Sequence, residues 1–473
     1  EPNHLPAQAQ KITLPCDIAG SFFPAADVDS YEFTAKKGEV WWVEVASERL
    51  GLNTDPFVLV QQVKQADDKE TLTDVAELYD IASPMKVSTN GYSYDGPPYD
   101  AGSPDVNGKF EAKEDGTYRL QVRDLFGGTR NVAGNNYRLL VRQATPDFSL
   151  AAWALHMTLR NGDRSALSKP MALRQGDSRM FEVVVQRRDG FDGEIDITME
   201  NLPPGVRATG LKIGKGKPNG HLVLTAASDA KRGFSLARIV GKATIDGAAV
   251  SRPVRVASFE WPVKDAKSEI PAARLTAEVP VSVTDSEQAP LTIALVENRV
   301  FQATAGETVK IPLKLTWRHE FNGASIKVKA YGEGFSGLKE FDIPVKAAAH
   351  EAVLDLATLK VAPGDYTFAF QSLGICKYRY NPAAVPLAEA EQKQAEQLAL
   401  ATAAEAKKLA ANDAAAAKTA AEKQKLADAA MATASARMKA VSAAAAPTDT
   451  VDIVISEPIR LTVKPAQLAS SKP

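Results

Sequence analysis

Two stretches of this chain repeat each other in length, alternation and key residues. The segment GDSRMFEVVVQRRDGFDG begins at Gly176, and GETVKIPLKLTWRHEFNG begins at Gly306. Both place an arginine (Arg188 and Arg318) and a phenylalanine (Phe191 and Phe321) at matching positions after alternating apolar residues. Because a period of two buries one face of a strand, each copy is predicted to be a unit of about seven strands in a β-sandwich.

The N-terminal part alternates in the same way without belonging to the repeat. Tyr31 and Phe33 share one face of a strand, KKGE makes a turn, and Trp41, Val43 and Val45 resume the alternation. The runs FVLVQQV, GTYRLQVRD and NNYRLLVRQ continue it between loops rich in Gly, Asp, Asn and Pro. This pattern predicts an antiparallel sandwich or jelly roll of about 145 residues.

A segment of different composition interrupts the last unit. From Leu387 to Ala446 the chain is mostly Ala, Glu, Gln and Lys, which are strong helix formers, and TVDIVISEPIRLTV then returns to a strand period. One unbroken helix of about 60 residues would separate two strands of one sandwich by about 90 Å. Asn412 and Asp413 lie near the middle and favour helix caps, so an antiparallel helical hairpin is predicted. A mobile low-complexity arm is the alternative.

The expected fold class is therefore mainly β, with three β-sandwich domains in tandem. The predicted domains are residues 1–146, 147–275 and 276–473, with the helical hairpin inserted at 387–446 of the third. The hairpin has few large apolar residues, and alanines bury little surface. We therefore expect it to lean on the body of the protein or on another subunit.

Composition narrows the class of partner. The formal net charge is −2 and no basic block is present, so neither nucleic acid nor an anionic membrane is expected as a partner. No apolar run approaches the roughly 20 residues of a transmembrane segment. The sequence starts at Glu1 without a signal peptide, which fits a processed secreted protein or a fragment of a longer one.

Residues that could support catalysis are scattered, so the chain is not expected to be an enzyme. Neither an HExxH motif nor a GxSxG nucleophile elbow is present, and His319, beside Glu320, is expected to be exposed in a turn. Cys16 and Cys376 fall in different predicted domains and favour small buried side chains, with an interdomain or intermolecular disulfide as the alternative. The five histidines are His4, His156, His221, His319 and His350.

Two carboxylates, Asp27 and Asp29, stand two residues apart just before the first buried strand. A divalent cation would cancel their repulsion, and Ca²⁺ takes six to eight oxygen ligands of this kind. The alternative is that both aspartates cap a turn through Asx hydrogen bonds.

Three motifs together carry a family resemblance. EPNHLPAQAQKITLP, ADVDSYEFTAKKGE and EDGTYRLQVRD resemble the bacterial pre-peptidase C-terminal domain over about residues 1–145. With two Ig-like units behind it, the chain is similar to multi-domain secreted proteins of planctomycetes and related bacteria. The resemblance implies a non-catalytic sandwich stabilised by Ca²⁺, with Glu1, Asn3, Asp27 and Asp29 as metal ligands. His4 departs from the family pattern, which usually supplies another oxygen ligand there.

A second candidate site is the loop NGYSYDGPPYDAGSPDVNG. Exposed tyrosines beside carboxylates could bind a sugar or a peptide, since each ring offers a flat apolar face and a hydroxyl. An ordinary loop over a sandwich is the alternative. The residues concerned are Tyr92, Tyr94 and Tyr99, with Asp95, Asp100 and Asp105 between and after them.

These observations predict a secreted or cell-surface structural or adhesion protein that is stabilised by calcium. Its expected partners are other protein subunits or an extracellular polymer, with homo-oligomers forming through the hairpin. The alternative function is a polymer-binding appendage of a secreted peptidase or glycoside hydrolase.

Overall fold

The structure is a computed structural model that describes residues 3–66, 69–86, 99–155, 171–258, 274–410 and 414–466. Its described part is mostly β, with a helical pair near the C-terminus, and it confirms the predicted fold class.

The first unit is a sandwich of two five-stranded sheets with orders β1-β3-β9-β5-β6 and β2-β10-β4-β8-β7. Its core holds the alternating residues of the predicted strands: Tyr31, Phe33, Val43 and Val45 are all buried between the sheets. The strands are β1 (Gln10–Lys11), β2 (Cys16–Ser21), β3 (Asp29–Ala35), β4 (Val40–Ala46), β5 (Pro56–Ala66), β6 (Lys69–Leu78), β7 (Asp80–Ile81), β8 (Ser103–Glu111), β9 (Gly116–Asp124) and β10 (Asn136–Arg142).

The second unit contains ten strands. Two of them, β17 and β18, are long, and each pairs with different strands along its length: β17 pairs with β14, β18 and β20. Trp153 is the largest side chain in its core, followed by Phe148, Phe181 and Phe191. The strands are β11 (Asp147–Ala154), β12 (Met171–Gln175), β13 (Ser178–Arg188), β14 (Asp196–Glu200), β15 (Val206–Leu211), β16 (Asn219–Ala226), β17 (Gly233–Ile245), β18 (Ala248–Ser258), β19 (Arg274–Thr276) and β20 (Val279–Gln288).

The boundary between the second and third units differs from the predicted one at residue 275. Strand β20 pairs with β12 and β17, and Val281 lies in the second core. The second unit therefore extends through Gln288. Its alternating pattern predicts a strand but does not reveal which sheet that strand joins, because pairing depends on residues far along the chain.

The third unit packs a three-stranded sheet, β21-β23-β27, against a seven-stranded one built around β28. Phe335 stacks on Phe368 in its core, with ring centroids 4.1 Å apart. The elements are β21 (Leu291–Leu295), β22 (Val300–Thr304), β23 (Thr308–Trp317), β24 (Glu320–Phe321), β25 (Ser325–Tyr331), β26 (Phe341–Pro344), β27 (Ala349–Asp355), the short helix α1 (Leu356–Leu359), β28 (Gly364–Tyr378), β29 (Thr448–Ile455) and β30 (Ile459–Lys464).

The repeated segments occupy matching places in the second and third units. Gly176 and Gly306 precede β13 and β23 with φ of 70° and 86°, a left-handed conformation that favours glycine. Phe191 and Phe321 each lie buried shortly after those strands, at 7% exposure. The repeat in the sequence therefore reflects a repeated strand and turn.

Two long helices, α2 (Ala384–Ala410) and α3 (Ala414–Ala444), connect β28 to β29. Tyr378 pairs with Thr448 at the ends of these strands, so the insertion begins and ends at one place, as predicted. Glu391 near the start of α2 forms an ion pair of 2.9 Å with Arg437 near the end of α3, so the helices run antiparallel. Asn412 and Asp413 lie outside the described residues.

The helical pair makes its main contacts within itself. In the described residues, neither helix has an extensive contact with any strand, which differs from the expected contact with the body of the protein, and the alternative of contact with another subunit stays a prediction. No described helix is long and apolar enough to cross a membrane.

Cys376 is buried in the third core and Cys16 is half-buried in the first, and both are free thiols.

Candidate metal centre and domain junctions

The N-terminal segment lies along β3, where the sequence predicts the calcium ligands. Strand β1 pairs in parallel with β3, and the backbone carbonyl of Asn3 accepts a hydrogen bond of 2.9 Å from the Ser30 amide. Asp29 is the first residue of β3, and Asp27 lies in the turn before it. The fold thus brings Asn3 to the strand that carries Asp29. Glu1 lies outside the described residues, and His4 is exposed.

The carboxylate of Asp29 is buried, with 1% of the residue exposed. The Tyr137 hydroxyl donates a hydrogen bond of 2.6 Å to Asp29 Oδ2, and it lies 2.7 Å from the Tyr31 hydroxyl. Burial raises the pKa of Tyr137 far above its ordinary value, and the nearby Tyr31 and Asp29 raise it further. Tyr137 therefore remains a protonated donor that orients the carboxylate.

The Asn3 side chain is buried at 3% exposure, yet neither its Oδ1 nor its Nδ2 has a hydrogen-bond partner within the described residues. An unsatisfied buried amide costs about 1–3 kcal/mol, so this position calls for a ligand or ordered water. Its oxygen and the carboxylates of Asp27 and Asp29 are the hard donors that Ca²⁺ prefers. The described residues contain no cluster of three or more His, Cys, Asp or Glu side chains suited to a metal, so water and backbone carbonyls would have to complete the coordination.

Of the three tyrosines in the second candidate site, only Tyr99 lies within the described residues, and its position differs from the expected exposure. Tyr99 is half-buried and packs against the core of the second sandwich, and burial raises the pKa of its hydroxyl. Asp105 is fully buried and accepts hydrogen bonds from the amides of Ser47 and Glu48 at 2.9 and 2.8 Å. Both are structural residues and not part of an exposed platform. Tyr92, Tyr94 and Asp95 lie outside the described residues, so binding by Tyr92 and Tyr94 stays a prediction.

The junction between the first and second sandwiches is centred on Glu44. Its two carboxylate oxygens pair with Arg49 at 2.9 Å, Arg142 at 3.1 Å and Arg188 at 2.6 Å. Burial alone would raise the pKa of Glu44, but the arginines outweigh burial and lower it. Arg142 also pairs with Asp189 of the second sandwich. The Glu44 carboxylate thus links two arginines of the first domain to Arg188 of the second domain.

The junction between the second and third sandwiches has an apolar half. Leu155, Met180 and Val223 of the second unit pack against Ala369 and Ile453 of the third. Burial of such side chains stabilises a contact by about 25 cal/mol per Å². The two sandwiches therefore share a small core of their own.

A buried ion network forms the other half of this junction. Arg179 of the second unit lies 3.0 Å from Asp177 and 3.3 Å from Asp452 of the third, and its Nη1 donates to the Ile453 carbonyl at 2.9 Å. Burial raises the pKa of Asp177, and the charge of Asp452 adds to this effect. Arg174 adds ion pairs of 3.4 Å to Glu287 and 3.7 Å to Asp452.

The repeated arginines both lie at the junction with the preceding domain. Arg188 reaches Glu44, whereas Arg318 Nη1 donates to the Ala289 carbonyl at 2.8 Å and to Thr292 Oγ1 at 2.9 Å. Thr292 in turn donates to the carbonyl of Gly176 in the second unit. The repeat is visible in the sequence and could have marked these positions, but Glu44 and Asp452 carry no comparable sequence signal.

Three of the described histidines, His221, His319 and His350, pack against aromatic rings. His221 is buried beside Tyr331, and burial lowers its pKa to about 4. His350 stacks on Phe341. His319 is half-buried beside Tyr378, with ring centroids 5.1 Å apart, so the expectation that it is exposed in a turn is wrong. His156 lies outside the described residues.

The solved structures named below are distant likenesses of this chain. No family model matches the chain, and no curated protein matches it. Among solved structures, it is similar to the pre-peptidase C-terminal domain of collagenase from Bacillus anthracis, with 17% identity, a TM-score of 0.18 and coverage of 28% of this chain and 94% of that one. Domains 5–6 of the S-layer protein SbsC show 13% identity, a TM-score of 0.18 and coverage of 48% and 91%. The D0-D1 domain of intimin shows 9% identity, a TM-score of 0.16 and coverage of 47% and 91%. At such scores these likenesses carry no argument about function.

Proposed function

We propose that this chain is a non-catalytic structural or adhesion protein of the cell surface or extracellular space. Its three sandwiches form a support, and the helical pair contacts a second copy of the chain. The observation that carries the proposal is the pair of charged junctions, where Glu44 and Asp452 each bind arginines across a domain boundary.

A structural protein of this kind needs domains that keep one relative orientation, unlike domains joined by flexible linkers. Relative motion is the default for neighbouring domains unless their interface is large and apolar. Here separation of the domains would break several ion pairs and, at the second junction, expose the apolar side chains that the second and third units share. Both junctions therefore resist separation and hold the sandwiches in one arrangement.

The first sandwich is proposed to be a domain of the pre-peptidase C-terminal type that binds Ca²⁺. The support for this assignment is the motif set named above and the position of Asn3, whose buried amide has no partner within the described residues. Asn3, Asp27 and Asp29 would hold the ion, and Glu1 is proposed as the fourth ligand. Bound calcium would fix the N-terminal segment against β3.

The affinity for Ca²⁺ tests both the proposed metal site and the proposed extracellular location of the protein. Extracellular modules bind Ca²⁺ with Kd of about 10⁻⁴–10⁻³ M, much weaker than cytosolic sensors. At tenfold excess over Kd, binding stabilises the native state by about 1.4 kcal/mol. We expect the melting temperature of the full chain to rise when chelator is replaced by millimolar calcium, as followed by calorimetry.

The double variant Asp27→Asn, Asp29→Asn should lose this rise, because two anionic ligands become neutral amides. Asp80→Asn is the matched control, since Asp80 is an exposed carboxylate in the same sandwich. A full calcium response in the double variant would refute the site, and Kd in the micromolar range would contradict the extracellular assignment.

A further inference from the structure

An open cavity of about 360 Å³ lies where the second sandwich, the third sandwich and the base of the helical pair meet. The second sandwich contributes the end of β20, the third contributes the turn after β23, and the segment between β28 and α2 closes one side. The acidic and basic residues of its wall are Asp285, Glu287, Arg318 and Arg379, and His319 lies beside them.

Two arginines of this wall have no carboxylate partner within the described residues. Arg318 donates to the Ala289 carbonyl and to Thr292 Oγ1, both neutral acceptors. Burial lowers the pKa of Arg318, and no carboxylate offsets that effect. Arg379 has only a long contact of 3.5 Å to the Ala445 carbonyl. Within the described residues, the positive charge of each guanidinium group is therefore not balanced by a carboxylate, and each group has N–H donors that could bind a ligand in the cavity.

The two carboxylates of the wall already have partners. Glu287 accepts from the Tyr378 hydroxyl and pairs with Arg174, and Asp285 lies 3.5 Å from Arg232. His319 has its pKa lowered by burial and by the charges of Arg174 and Arg379, so it is a neutral imidazole near pH 7. The formal charge of the wall is zero, two arginines against two carboxylates, but both carboxylates are paired with arginines outside the wall, whereas Arg318 and Arg379 have no carboxylate partner within the described residues.

The N-terminal end of α2 adds a partial positive charge at the cavity. Pro382 and Ala383 belong to the cavity wall, and the 27-residue helix begins at Ala384. The N-terminal end of a helix carries a partial positive charge of roughly half an elementary charge. The helix therefore favours a negative group at the same place as the two arginines.

We propose that this cavity binds a small anionic oxygen group, a carboxylate or a phosphate. Arg318 and Arg379 supply the charged donors, and His319 can supply a neutral one. Such a ligand would touch both sandwiches and the base of the helical pair at once, and would hold the helices in a fixed direction. This proposal is independent of the calcium site and of any self-association.

Isothermal titration of the full chain with inorganic phosphate, and separately with acetate, tests this inference. We expect saturable binding of at least one of the two at constant ionic strength. Tighter binding of phosphate would assign the site to phosphorylated ligands, and comparable binding of acetate would assign it to carboxylates. No saturable binding of either anion would overturn the proposal.

Arg379→Gln tests the contact itself, because this exposed side chain has little structural role and the variant should fold. A charged hydrogen bond is worth about 1.5–3 kcal/mol, so affinity should fall about tenfold or more. Arg379→Lys keeps the positive charge and should therefore bind the anion more tightly than Arg379→Gln does. Arg318→Gln should also bind the anion more weakly than the wild type. The control is Arg123→Gln, a surface arginine of the first sandwich that lies over Phe57. Equal affinity in Arg379→Gln and the control would refute the assignment.

Discussion

At the scale of single residues, Glu44 shows how a junction depends on one charge. The residue is only 7% exposed, and three guanidinium groups surround its carboxylate. The net effect of these arginines is a lowered pKa, so the ionised form is more stable in the folded protein than in the unfolded chain. Its contribution to stability is present above the ordinary pKa of a glutamate and is lost as pH falls through the lowered value.

Glu44→Gln should therefore destabilise the protein by roughly 2 kcal/mol at pH 7, since three partly buried arginines lose their shared counter-charge. The difference between the variant and the wild type should shrink as pH falls below the ordinary pKa of a glutamate and through the lowered pKa of Glu44, because the carboxylate of the wild type then becomes protonated. Urea unfolding at several pH values measures both effects. Glu77→Gln, at an exposed position, is the control. A penalty that does not change with pH would show that the charge of Glu44 is not its source.

Residues differ in how far the sequence predicts their role. The spacing of Asp27 and Asp29 before a strand is local, and the structure places Asp29 as the first residue of β3 and Asp27 in the turn before it. The roles of Glu44 and Tyr99 depend on how two domains dock, and residues far apart in the chain decide this. Tyr99 was therefore expected to be exposed, although it packs against the second sandwich.

At the scale of elements, the helical pair has an alanine seam. Ala420, Ala427 and Ala434 of α3 are buried at intervals of seven residues, and Ala388 and Ala399 of α2 are buried as well. A spacing of seven is the repeat of a coiled coil, and small side chains allow the helix axes to approach closely. The larger residues Leu387, Leu398, Leu400 and Leu426 are more than half exposed. These exposed leucines are available for contact with another chain.

Ala427→Leu should disrupt this seam, because added methylene groups force two closely packed helices apart at a cost of about 1–3 kcal/mol. We expect a lower temperature for the loss of helical signal in circular dichroism, with the melting of the strands unchanged. Ala429→Leu places the same side chain on the exposed face of α3 and should have little effect. If both variants lost their helical signal at the same temperature, close packing of the two helices along these alanines would be contradicted.

Composition predicts the helices of this element but not their packing. Alanine has a high helix propensity wherever it stands, so a segment rich in alanine shows no clear apolar face. The seam becomes visible only when burial is known for each position. For a similar reason β20 could be predicted as a strand but not assigned to its sheet.

At the scale of the whole molecule, the ion network around Asp452 should keep the second and third sandwiches together. Asp452→Asn leaves Arg174 and Arg179 without their shared carboxylate, so the junction should loosen. We expect faster limited proteolysis near residues 288–291 and a larger radius of gyration by small-angle scattering. Asp449→Asn, an exposed position on the same strand, is the control. Unchanged scattering and proteolysis in Asp452→Asn would show that the apolar half is sufficient.

In the proposed function, rigid sandwiches present the helical pair for contact with a second copy. Because Tyr378 and Thr448 pair directly, a short glycine linker can replace residues 384–444 without separating β28 from β29. Sedimentation equilibrium of the full chain and of this variant, over a range of concentrations, tests the claim most directly. The account predicts reversible association of the full chain and a monomeric variant with the same strand melting temperature. Association that is equal in both, or a full chain that remains monomeric, would contradict it.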